Sequence, residues 1–130
     1  MANLKDISGA LPIIRAGGTT ANRAVYLPNQ TEAVILTYDE GTWEDQPDAL
    51  TIGPAWMQTF KQFPEGTKYI YNLNFGDGYN GQTTESQAVL EAGLAFHGLG
   101  DSLYAFEIGN EINGARQNLV LTMYDSDRSL

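Results

Sequence analysis

The residues best suited to chemistry stand close together near the end of one apolar run, Leu103 to Glu111, LYAFEIGNE. A carboxylate takes up or releases a proton, and an amide both donates and accepts hydrogen bonds. Read as a buried strand, the run delivers Asn110 and Glu111 together at its C-terminal end, where a β/α barrel keeps its chemistry. Alternation sets Tyr104, Phe106 and Ile108 on one face, and Leu103, Ala105, Glu107, Gly109 and Glu111 on the other. The bulky face is expected to lie under helices. The other face then looks inward, with Glu111 at the rim and Glu107 one layer deeper. Strict alternation would turn Asn110 away from Glu111, so both serve one substrate only if the strand end bulges or turns.

These groups need other strands beside them. Ile13 to Ala16 reads as a short buried strand ending in the turn Gly17-Gly18-Thr19-Thr20, with Ile13, Arg15 and Gly17 on one face. That turn lacks the lysine of a phosphate-binding loop. Lys68 to Phe75, KYIYNLNF, is a stronger strand in which Tyr69, Tyr71, Leu73 and Phe75 oppose Ile70, Asn72 and Asn74. Asn74 stands at its end, suited either to a ligand contact or to capping the following loop. Arg15 and Glu107 would both point inward from alternate strands, which in a barrel contribute to the same interior layers. Since neither charge is stable buried alone, an Arg15–Glu107 ion pair is predicted in or near the interior.

Helices are expected between the strands. Asn3 to Ser8 is closed by Gly9, with Pro12 beyond it. Pro54 opens a helix whose apolar stripe is Trp56, Met57, Phe60 and Phe63. Thr84 with Gln87 fits a capping box at the start of a helix lined by Val89, Ala92, Gly93 and Phe96 and ended by His97-Gly98-Leu99-Gly100. From Asn22 to Pro54 the pattern gives a long connection with one accessory strand, Val34-Ile35-Leu36-Thr37-Tyr38. Residues 112–130 read as an irregular tail. Strands alternating with helices are the grammar of parallel βαβ units.

Composition narrows the partners. In 130 residues, 16 acidic against 7 basic side chains give a net charge of −9 with no basic cluster. That excludes nucleic acid and anionic membranes as expected partners. With no cysteine and one histidine, neither a disulfide framework nor a metal site is expected, and no cofactor is implied. The N-terminus lacks the apolar core of a signal peptide.

In order, Pro12 to Thr20, Tyr26, Ile52-Gly53-Pro54, Leu73-Asn74-Phe75-Gly76 and Phe106 to Glu111 resemble the landmarks of glycoside hydrolase family 79, the β-glucuronidase and heparanase-like enzymes, and most of all its fungal members. The resemblance covers residues 3–111 and ends there, because Ile112-Asn113-Gly114 departs from the family's Pro-containing continuation. It implies an α/β fold that is part of a (β/α)8 TIM barrel, strands two to four with their helices. It also implies a carbohydrate substrate and an extracellular full-length protein. By resemblance Glu111 is the acid/base, and Asn110 hydrogen-bonds the sugar beside the scissile bond. Asn22 stands where many relatives carry Asp.

Retaining glycosidases place two carboxyl groups about 5 Å apart. Glu107 lies four residues before Glu111, on the order of 13 Å away along a strand, and is no nucleophile. In the family that residue ends the seventh strand, beyond the matched part. The expectation is therefore a fragment of a retaining hydrolase of β-linked glucuronides, inactive alone and prone to associate through its sheet edges. The alternative is a non-catalytic carbohydrate-binding or interaction remnant of the same fold.

Overall fold

A computed structural model describes residues 2–39, 47–75 and 84–110. Glu111, the expected tail 112–130, Gly76 and the side chain of Thr84 with its capping box lie outside them. The elements are α1 (Ala2–Ser8), β1 (Ile13–Ala16), a 3-10 turn (Thr19–Arg23), β2 (Ala24–Tyr26), β3 (Val34–Thr37), β4 (Ala49–Ile52), α2 (Trp56–Thr59), β5 (Lys68–Leu73), α3 (Thr84–Leu99) and β6 (Leu103–Ile108). No helix among the described residues is long and apolar enough to cross a membrane.

The three strands expected to be principal form one parallel sheet in the order β1-β5-β6. The β5 alternation holds: Tyr69, Tyr71 and Leu73 are buried under α2 and α3 with Met57, Phe60, Ala88, Ala95 and Leu99. Phe60, in the 3-10 turn Phe60–Gln62 that continues α2, meets the Tyr69 ring edge-on at 4.9 Å, so the apolar stripe expected after Pro54 seats on the sheet. Gly98 leaves the space that the Met57 side chain fills.

The long connection is more ordered than the sequence indicated. Besides the expected accessory strand, now β3, it holds β2 and β4, and the three form a second sheet in the order β2-β4-β3. The first pair is parallel and the second antiparallel. Ala24, Leu50 and Ile52 make its small core, and Trp56 and Leu94 pack against both cores and so join the sheets. Strands of three and four residues carry too little alternation to be read in advance.

Two faces differ from expectation. On α3, Val89 and Phe96 are 71% and 62% exposed, while the buried side consists of Gln87, Ala88, Glu91, Ala95 and Leu99. Two of these are polar, so a search for an apolar stripe chose the wrong side. On β6, Phe106 and Ile108 pair in register with Tyr71 and Leu73 and thus share the helix-side face, as expected. Yet Tyr104, Phe106 and Ile108 stay 63%, 37% and 56% exposed, while Leu103 at the start of β6 packs against the core under the helices.

Candidate functional site

The C-terminal ends of β1, β5 and β6 lie side by side because the strands are parallel. Register places Ile70 beside Arg15 and Glu107 beside Asn72, so Arg15, Asn72 and Glu107 share the face away from α2 and α3. Asn72 is buried at the middle of this face. Any Cβ on Gly17 would collide with the Asn72 Cβ, so the glycine is what lets β1 end against β5.

Across that glycine the predicted ion pair forms. Arg15 Nε donates to Glu107 Oε2 at 2.6 Å and Nη2 donates to Oε1 at 2.9 Å, the two-pronged geometry specific to guanidinium and carboxylate. The pair is half-exposed rather than enclosed. Hydrogen bonding from Arg15, aided by its charge and only partly offset by desolvation, holds the Glu107 carboxyl below its usual range.

The same guanidinium reaches the candidate site. Arg15 Nη2 also donates to Asn110 Oδ1 at 2.8 Å. Asn110 is on this face because the chain turns at Gly109, whose φ of 71° is a left-handed conformation suited to glycine. The strand end therefore does turn, which is the condition under which Asn110 need not oppose its neighbour. The Asn22 side chain fixes the backbone there: the Asn110 N–H donates to Asn22 Oδ1, and Asn22 Nδ2 donates to the Asn110 carbonyl, each at 3.3 Å. One side-chain amide thus meets both polar groups of a residue, as a neighbouring strand would.

Asn74, the third candidate, sits at the end of β5 and is buried. Its side-chain amide donates to the Ala24 carbonyl, tying β5 to β2. Its backbone N–H donates to Glu91 Oε2 at 3.0 Å. The Tyr26 N–H donates to Gln87 Oε1 at 2.9 Å. Gln87 and Glu91, four residues apart on α3, form a polar seam between the sheets. Burial pushes the Glu91 carboxyl up to about 7 against the hydrogen bond from Asn74, and Oε1 has no hydrogen-bond partner. Burial, with the Glu91 charge nearby, also raises the Tyr71 phenol. Sequence reasoning missed the seam, although the i, i+4 spacing of Gln87 and Glu91 beside Ala88 and Ala95 was its signal.

A groove of about 500 Å³ lies between α2 and α3 and is lined by Tyr26, Met57, Leu90, Leu94 and His97 among others. None of Arg15, Glu107, Asn110 or Asn74 lines it, so it is no part of the strand-end site. Among the described residues no cluster of three His, Cys, Asp or Glu side chains is placed to hold a metal.

Known proteins resemble this chain in sequence and in fold. No family model matches the chain. It is 37% identical over 111 residues to a β-glucuronidase of Aspergillus niger and 34% identical over 111 residues to one of Neurospora crassa, covering 84% of this chain each time. The crystal structure of a 4-O-α-L-rhamnosyl-β-D-glucuronidase from Fusarium oxysporum, in complex with Rha-GlcA, superposes with a TM-score of 0.68 at 34% identity over 87% of this chain. The chain spans 20% of the length of the two curated relatives and 22% of the Fusarium protein. It belongs to the fungal β-glucuronidase family that its ordered landmarks indicated, as a partial region of it.

Proposed function

We propose that this chain is the part of a retaining β-glucuronidase of family 79 that carries the acid/base, with β1, β5 and β6 as strands two to four of a TIM barrel. Glu111 gives a proton to the leaving oxygen and then takes one from water, while Asn110 hydrogen-bonds the sugar beside the bond being cut. Asn74 is a third sugar contact at the same end of the sheet, the weakest of the three because its amide already serves Ala24. The observation that carries the reading is the set of bonds on Asn110: Arg15 and Asn22 hold its side chain and backbone one residue before Glu111.

Two carboxyl groups are needed, and Glu107 is committed to Arg15. The 130 residues by themselves therefore bind but do not turn over a β-linked glucuronide. The test is a chimera in which residues 3–111 replace the matched region of the Aspergillus niger relative. It should hydrolyse an aryl β-glucuronide, and Glu111→Gln should lower the rate on a poor leaving group by about 100-fold or more. A chimera with equal activity as Glu or Gln would leave sugar binding without catalysis as the role of this region.

A further inference from the structure

Three buried polar side chains near the C-terminal end of β5 join α3 to both sheets. Gln87, Glu91 and Asn74 are 1%, 1% and 2% exposed. Glu91 Oε2 accepts the Asn74 N–H at 3.0 Å, the Asn74 side-chain amide donates to the Ala24 carbonyl of β2, and Gln87 Oε1 accepts the Tyr26 N–H at 2.9 Å. These bonds close a ring from α3 to β5, to β2 and back to α3. Only Glu91 among the three can ionise. The proposed proton transfer does not use it, and its Oε1 has no hydrogen-bond partner among the described residues.

We propose that Glu91 is a proton-operated latch: neutral, it keeps the end of β5 closed against α3 and β2, and its ionisation opens this seam. A neutral carboxyl meets the Asn74 N–H with one oxygen and leaves one hydroxyl unpaired. A carboxylate instead places charge on a buried oxygen that nothing described in the seam answers, and such a charge costs far more than an unpaired hydroxyl. Hydration relieves that cost, and water reaches the group only if α3 parts from the Asn74 and Tyr26 amides. The rise of the Glu91 carboxyl to about 7 under burial agrees with this competition.

Among the described residues, the elements packed on α3 supply no compensating cation. The Glu91 charge acts on Tyr71 of β5, whose phenol is raised and so stays neutral while Glu91 titrates. On the same strand Lys68 Nζ donates to the Asp101 carbonyl at 2.6 Å, and the Tyr69 hydroxyl donates to the Phe60 carbonyl. Tyr26 of β2 and His97 of α3 line the groove between α2 and α3, while Arg15 and Glu107 pair on the far face of the sheet. Since Asn74 is also the third proposed sugar contact, the latch sets how firmly that contact is held. Only this consequence rests on the β-glucuronidase reading, and the test uses no substrate, so the two can fail separately.

Amide exchange of the full 130-residue chain, followed by NMR, tests the latch. Between pH 5 and pH 8, corrected for the intrinsic rise of exchange with pH, protection at the Asn74 and Tyr26 amides should fall by about 10-fold or more. At pH 8 their exchange should not respond to low urea, because local opening exposes little surface whereas global unfolding accelerates with denaturant. Glu91→Gln keeps an acceptor for the Asn74 N–H and cannot ionise, so it should hold protection at both amides constant over the same range. The comparison of pH values in the unaltered chain stands by itself should the variant fail to fold. Unchanged protection at either amide, exchange that accelerates with low urea, or a fall that persists in folded Glu91→Gln would overturn the proposal.

Discussion

Arg15 and Glu107, separated by 92 positions in the chain, are joined by two hydrogen bonds across the middle strand of the parallel sheet. Because the same Arg15 Nη2 also holds the Asn110 side chain, the pair both ties β1 to β6 and orients the residue that precedes the candidate acid/base. Arg15→Ala should therefore do two things. It should cost about 1 kcal/mol in urea unfolding, the modest value of a half-exposed pair. It should also shift the Asn110 side-chain amide resonances, which a variant of distant Lys61 would leave in place.

Asn22→Asp separates the two bonds at Asn110. A carboxylate still accepts the Asn110 N–H but has no hydrogen for the Asn110 carbonyl. The Asn110 amide should remain protected from exchange in Asn22→Asp and lose protection in Asn22→Ala, with a stability loss of about 1 kcal/mol for the latter. Equal exchange in all three proteins would remove Asn22 from the account.

The buried seam makes stability depend on pH in an unusual direction. Glu91 has a folded pKa of about 7 against an ordinary 4.5, so the folded protein binds the extra proton. Its contribution is complete below about pH 4.5 and is lost as pH rises through 7, on the order of 3 kcal/mol in all. Glu107 works the other way, since its lowered pKa gives stability above the ordinary value that is lost as pH falls through the folded one. Urea unfolding between pH 5 and 8 should show stability falling with pH, and Glu91→Gln should flatten that slope. An unchanged slope would place the titration elsewhere.

Gly17→Ala tests the close approach of β1 to β5. The added methyl meets the Asn72 Cβ, which is anchored to the backbone and cannot swing aside. Thermal and urea unfolding should report a loss of about 1–3 kcal/mol. The same change at Gly18, where a Cβ meets nothing, separates this collision from the strain of a φ of 124°.

How much of this was legible in the sequence follows from where the signals were local. The β5 alternation was long and aromatic, so its buried face could be named residue by residue. Arg15 and Glu107 could be paired because inward charges on alternate strands of a barrel share one interior layer, and neither is stable buried alone. The α3 face was misread because its buried side carries Gln87 and Glu91, which serve the Tyr26 and Asn74 backbone amides that only tertiary structure brings near. The second sheet was missed apart from β3, since β2 and β4 are three and four residues long. Asn22 was noticed only as a departure from relatives, and its bonds to Asn110 depend on a turn at Gly109 that alternation does not encode.

The most direct test of the central claim is the rate of the chimera and its Glu111→Gln form on two β-glucuronides, one with a nitrophenyl and one with an alkyl leaving group. If Glu111 protonates the leaving oxygen, the substitution should lower kcat/KM, which reports cleavage of the glycosidic bond, far more for the alkyl substrate than for the nitrophenyl one, whose leaving group departs without a proton. An equal fall in kcat/KM for both, or none, would contradict the account and assign the strand end to binding alone.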